Sequence, residues 1–341
     1  MPAFRRSVAR SPAGDQGWFA AVRAATVLVF EQPATWPVGL AGFLARGGIV
    51  LFVIPIVPLP SPVGLANIVG PTAATPSGPS PEAAGVLAGA AAALLAWLVF
   101  GGAVGALADA FLANAYLASA FGPATPEDAG MRRPFRPGLV GRPLAVRLAA
   151  LLPVGLALAI AARPIVESTY RQLISPYDLA VPLVGRVVRE VAPAIGLVVA
   201  VWLLAEIVAG LAVRSIVLRN DAPAVALGHA IGHLLRRPAS CLATAAIGMA
   251  GLALAIGPPL VAASAVWSNL QALLAHTVAH GGDLGPILLL GLFLVAIWAG
   301  GLVLCGVATA WRGLLWTAEL ARSEPIGGVP TRTFGRGRVD P

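Results

Sequence analysis

The chain has 341 residues, 58% of them hydrophobic and only 11% charged, with a mean hydropathy of +0.84. Soluble domains hold about 45–50% apolar and ~25% charged residues, so a single soluble core is excluded. All 23 basic residues are Arg against 15 acidic residues. With no basic soluble domain to carry them, they point to membrane topology and away from nucleic-acid binding.

A transmembrane helix needs about 20 apolar residues to cross a ~30 Å hydrocarbon core. Six segments qualify, near 37–58, 85–107, 143–163, 193–214, 239–260 and 285–307. The expected fold is all-α and polytopic: six transmembrane helices arranged as three repeated helical hairpins, plus cytoplasmic interfacial amphipathic helices.

Residues 1–36 read as a cytoplasmic N-terminal segment. Within it, 15–31 forms an amphipathic helix with Trp18, Phe19 and Val22 on one face. Its short apolar run, Ala24 to Phe30, is closed by Glu31 with no small-residue cleavage site, so no signal peptide is expected. Residues 37–322 form the six-helix transmembrane domain. The first span carries Arg46 about nine residues in, and 59–84, rich in Pro, Ser, Ala and Gly, reads as irregular. The second span carries Trp97 and a small-residue face of Gly101, Gly102 and Gly105. It continues past the bilayer, so that 83–120 reads as one helix. Asp109 falls at its inner boundary, where Arg132 or Arg312 is the expected partner.

After the third span, the connection 164–192 includes a short amphipathic helix over 181–191. The fourth span carries Trp202, Glu206 and Gly210. In 222–237, Leu227, Ile231, Leu234 and Leu235 fall on one face, and His229, His233, Arg236 and Arg237 on the other. This is the pattern of a helix lying in the interface with Arg near anionic headgroups. The connection 261–284 holds His276, His280 and Asp283. The sixth span carries Trp298, Gly300, Gly301 and Gly306, and 285–322 again reads as one helix. The tail 323–341, with four Gly, reads as disordered and cytoplasmic.

The hairpins share landmarks. Pro33, Pro143 and Pro238 precede the first span of each, and Pro55, Pro164 and Pro258 lie near its outer end. The second span of each carries Trp and, eight residues on, Gly: Trp97/Gly105, Trp202/Gly210 and Trp298/Gly306. These six are read as helix-packing residues. Trp36, Trp267, Trp311 and Trp316 fall near span ends as interfacial anchors.

Nineteen Arg lie on one side of this arrangement and four (Arg163, Arg171, Arg186 and Arg189) on the other. The positive-inside rule then places both termini in the cytoplasm of a prokaryotic cell (inner) membrane. Cys241 and Cys305 would face a reducing compartment, where packing is their expected role.

Arg46 and Glu206 are the most costly residues, each roughly 12 Å from the inner end of its span at 1.5 Å per residue. A charge at that depth marks a functional site or a partnered pair, so the two are expected to face each other. The His residues form two i, i+4 pairs, His229/His233 and His276/His280. That spacing suits metal ligation, yet two ligands do not make a site. No metal or cofactor is therefore expected. H-E-x-x-H, G-x-S-x-G, G-x-G-D and P-loop signatures are missing, which points away from an enzyme.

The Pro-led spans at Gln32-Pro33, Arg142-Pro143 and Arg237-Pro238, two of them preceded by amphipathic helices, give a distinctive layout over residues 15–322. It resembles poorly characterised prokaryotic six-span families, including the membrane domain attached to some glycerophosphodiester phosphodiesterases. The phosphodiesterase catalytic domain is absent, so the resemblance implies a membrane module and carries over no active-site residue.

The expected function is a non-catalytic membrane scaffold or accessory subunit that touches lipids and partner subunits, or a second copy of itself. The alternatives are a transporter or permease component using Arg46 and Glu206, and a metal- or cofactor-binding membrane subunit using the His pairs.

Overall fold

The computed structural model describes residues 17–53, 81–121, 140–175, 177, 181, 183–281 and 283–323. The rest of the expected irregular connection, up to residue 80, and the tail from 324 lie outside these residues. All secondary-structure elements among the described residues are helical: α1 (Trp18–Glu31), α2 (Thr35–Phe43), a π-helical turn (Leu44–Gly48), α3 (Ile49–Val53), α4 (Pro81–Phe121), α5 (Gly141–Ile174), α6 (Leu183–Glu190), α7 (Ala192–Arg219), α8 (Pro223–Arg236), α9 (Pro238–His280) and α10 (Gly285–Ser323). Six stretches are long and apolar enough to cross a membrane: Thr35–Val53, Ala88–Ser119, Gly141–Ile174, Ala192–Arg219, Pro238–His280 and Gly285–Arg322. The chain is an all-α, multi-pass integral membrane protein.

Two helices run further than their sequence suggests. The spans expected to end near 163 and 260 continue to Ile174 and His280, through Pro153 and Pro164 in α5 and Pro258 and Pro259 in α9. Proline removes one intrahelical hydrogen bond. Unwinding in hydrocarbon would strand several more backbone groups, so continuing the helix is the cheaper outcome.

The helices gather into two compact units, Met1–Pro137 with Ala243–Pro341, and Gly138–Leu242. In the first, α2 packs against both α4 and α10. The crossing with α10 is backbone to backbone: a Cβ on Gly39 would fall 2.2 Å from the Gly306 carbonyl oxygen and 2.9 Å from Ala310 Cβ. Gly306 in turn lies under the Trp36 carbonyl. Helix α1 joins this body through Ala25, Leu28 and Val29, which pack with Leu112, Ala310, Leu314 and Leu315. Two indole hydrogen bonds pin it, Trp18 Nε1 to Thr244 Oγ1 (3.0 Å) and Trp311 Nε1 to Thr26 Oγ1 (2.9 Å). The buried face of α1 is Ala21, Ala25, Leu28 and Val29, and Phe19 is 81% exposed. Between α9 and α10 the seam is Ala263, Val266, Leu270 and Leu294.

In the second unit α5 and α7 form an antiparallel pair. Ala150 and Val154 meet Ala205 and Ala209 along the seam. One end is tied by Arg142 Nη1 donating to Asn220 Oδ1 at 3.1 Å, with Asn220 in the left-handed conformation (φ 58°) that caps α7. At the other end Glu190 accepts from Ser168, Arg171 and Gln172. The expected helix over 181–191 is α6. The expected helix over 222–237 is α8, in which Ala226, Ala230 and His233 are buried while Ile231 and Leu235 are exposed; the burial of His233, read on the polar face, is the departure.

The Trp residues depart from expectation in the same way. Trp97 and Trp202, read as packing residues, are 42% and 38% exposed, whereas Trp298 is packed in the core. Trp316, read as an interfacial anchor, is buried, and Trp36 hydrogen-bonds the Val29 carbonyl at 2.8 Å. Lipid solvates a large apolar side chain as well as protein does, so close packing selects small residues inward and leaves large ones outside.

Candidate functional site: a charged break in the first span

The first span is not one helix. Regular α structure stops at Phe43, Leu44–Gly48 widens into a π turn, and the helix resumes at Ile49. Gly47 sits at φ 91°, ψ 7°, outside helical geometry altogether. An L side chain there would be strained, and the Gly47-Gly48 dipeptide removes that cost. Gly48 is needed for a second reason, since a Cβ on it would lie 2.5 Å from the Phe43 ring. Such π insertions concentrate at functional sites in helices.

A face of α4 receives the break. Gly101, Gly105 and Asp109 are spaced by four and therefore share one stripe of the helix. The Ala45 carbonyl oxygen rests on Gly101, where a Cβ would be only 2.2 Å away. The Arg46 side chain then crosses Gly105, where a Cβ would lie 3.3 Å from its Nε. It ends in an ion pair, Arg46 Nη2 to Asp109 Oδ1 at 2.7 Å, with the Asp109 side chain 4% exposed and that of Arg46 24%. Across the break, Phe43, Phe52 and Trp298 stack edge to face at centroid distances of 6.1 and 5.9 Å. Sequence reading matched Asp109 with Arg132 or Arg312 and treated Gly105 as a packing residue. The pattern that identifies the pair is an Arg followed by two Gly, opposite a Gly-x-x-x-Gly-x-x-x-Asp stripe.

Glu206, the residue expected to face Arg46, lies half-buried on α7 in the second unit. About two turns along, Arg214 is 2% exposed and donates from Nη1 to the Gly210 carbonyl at 2.7 Å. Gly210 thus hosts a guanidinium, as Gly105 does, though the acceptor is its own helix backbone. Near the end of α10, Glu319 is 1% exposed and takes two hydrogen bonds from Arg322, at 2.7 and 2.8 Å. Outside the spans, hydrogen bonds from Gln172 and Ser168, with the charge of Arg171, hold the Glu190 carboxyl below its ordinary range.

An open groove of about 480 Å³ runs between α2 and α4, lined by Pro37, Val38, Ala41, Leu107, Phe111 and Asn114 among others. Its walls are apolar apart from Asn114.

The two His pairs differ. His229 is exposed and contacts Asp221 Oδ2 at 3.1 Å, an oxygen that also accepts from Ser215 Oγ at 2.5 Å, whereas His233 is buried. The pair does not present a shared surface. His276 and His280 do, with rings stacked at 4.8 Å. Cys241 and Cys305 are buried, and neither is in a disulfide.

Comparison with protein-family models, curated proteins and solved structures finds no match for this chain.

Proposed function

We propose that this protein is a non-catalytic scaffold or accessory subunit of a membrane complex, in contact with lipid, in a cell membrane with both termini cytoplasmic. The observation that carries the reading is how the deep charges are used. Asp109 on α4 is closed over by Arg46 of the first span. Groups spent on holding helices together are what a structural membrane protein requires. The alanine and glycine seams and the apolar α2–α4 groove suit the same role. The Arg asymmetry of 19 to 4 supports the orientation.

One observation favours a second reading, a transporter or permease component. Broken helices with charged residues at membrane depth line the substrate sites of many transporters, and Leu44–Gly48 is such a break. Glu206 is the further charge to follow in that case.

Thiol accessibility separates the two. In a variant with Cys241 and Cys305 replaced by Ala, Leu44→Cys and Ala45→Cys are challenged with a membrane-impermeant, hydrophilic thiol reagent from each side. The scaffold reading expects both to stay unlabelled; labelling from either side replaces it with the transporter reading. In the same background Ser323→Cys should react only from the cytoplasmic side and Ser175→Cys only from outside. Reaction of both from one side rejects the orientation. Mild extraction from native membranes should yield a stoichiometric partner or a homo-oligomer.

A further inference from the structure

We infer that the end of α9 carries a divalent transition-metal site formed by His276 and His280. Helix α9 has 43 residues, or roughly 65 Å at 1.5 Å per residue, about twice the hydrocarbon thickness. Polar residues gather in its last third: Ser268, Asn269, Gln271, His276, Thr277 and His280. That end therefore projects beyond the apolar core, where an aqueous ion can reach it.

Three observations point to a chelate. Both His are exposed, and they are separated by four residues, so they stand one turn apart on one face. The ring centroids stand 4.8 Å apart, close enough that turning the exposed rings about their side-chain torsions brings one nitrogen of each to a single ion at metal–nitrogen bonds of about 2.0–2.1 Å. Finally, His280 Nδ1 lies 3.3 Å from the His276 carbonyl oxygen. Metal-binding His residues commonly donate their second ring N–H to a backbone carbonyl, which fixes the tautomer and leaves Nε2 as the ligand atom.

Two imidazoles with solvent in the remaining positions suit Cu²⁺, Ni²⁺ and Zn²⁺, in the usual order with Cu²⁺ bound most tightly, and disfavour Mg²⁺ and Ca²⁺. The site depends neither on the scaffold reading nor on the orientation of the chain.

The test uses the full chain, purified in detergent, stripped of metal and titrated with Cu²⁺, Ni²⁺ or Zn²⁺ alone. Wild type should bind one equivalent at this site. His276→Ala and His280→Ala should each weaken that binding by about tenfold or more, because one imidazole cannot chelate. The double variant should lose little beyond either single one. His229→Ala should leave the affinity unchanged. Electron paramagnetic resonance of the Cu²⁺ form should show two imidazole nitrogens in wild type and one in each single variant. Independent, additive losses from the two single variants, or a one-nitrogen spectrum in wild type, would overturn the site. Both residues are exposed, so circular dichroism of the variants should match wild type, and a binding loss with matched spectra is a loss of the ligands themselves.

Discussion

The first and second hairpins solve the same problem in opposite ways. Helix α5 contains two internal Pro and stays continuous, held to α7 by an alanine seam and a polar tie at each end. The first span contains no internal Pro between Gly39 and Val53, yet it breaks, and its polar tie lies in the middle of the span. The difference shows what interrupts a helix in hydrocarbon. Proline costs one hydrogen bond and is tolerated. A glycine at positive φ redirects the chain, and the redirected backbone then needs a partner. Here Gly101 supplies the contact and Asp109 the charge.

The largest expected effect breaks the central tie. Arg46→Met removes the 2.7 Å ion pair to the buried Asp109 and should cost about 3 kcal/mol of unfolding stability in detergent. Asp109→Leu should be comparably damaging, and the double variant should lose clearly less than the sum. Additive losses in that cycle would show that the pair is not coupled.

The next effect concerns sign. Gly101→Ala drives a methyl into the Ala45 carbonyl and should cost about 2 kcal/mol. Gly210→Ala meets only Arg214 Nη1, at an ordinary 3.6 Å, and should be neutral or stabilise by up to about 1 kcal/mol through helix propensity. Chemical-denaturation midpoints of the two variants should move in opposite directions, and a shared direction would remove the contrast between the hairpins.

A smaller loss, about 1 kcal/mol, is expected for Gly47→Ala, where space is open and only the positive φ resists a side chain. Pro164→Ala in the unbroken hairpin should lose less than that, since it restores a backbone donor to a helix that already forms. A Pro164→Ala variant less stable than Gly47→Ala would reverse the account of which residue breaks a span.

The smallest effect is titration of the Glu190 tie of the second hairpin. The folded-state pKa of Glu190 lies below its ordinary value of 4.5. Its contribution is therefore complete above that value and fades as pH falls through the folded one. Thermal stability of wild type should drop more steeply below pH 4.5 than that of Glu190→Gln, whose curve should be flatter through that window. Parallel curves would exclude Glu190 as the titrating group.

Span number and helical class were legible because length and hydropathy alone determine them. Facing was not. In water a helix advertises its buried side by polarity, but α4 and α7 are apolar all round, so periodicity is silent. The usable signal was size. Ala150, Ala205 and Ala209 point inward while Leu152, Leu156 and Leu204 point outward. In α8 the stripe Ala226, Ala230, His233 marked the packed face more reliably than Leu227, Ile231, Leu234, Leu235. Depth was likewise readable for Arg46 but its partner was not, because Asp109 lies 63 residues away and closer in sequence to other arginines. What would have revealed it is the pair of Gly residues preceding Asp109 on its own face.

The position of Arg46 also bears on how the chain enters the membrane. It is the twelfth of the 19 residues from Thr35 to Val53, and an Arg near the centre of a lone helix opposes insertion by about 2.5–3.5 kcal/mol. Its counter-charge, Asp109, belongs to the second span and is synthesised 63 residues later. The first span is thus a poor substrate for insertion by itself and a good one as half of a pair. Partition into lipid should therefore wait for α4, so that the unit of membrane entry is the hairpin.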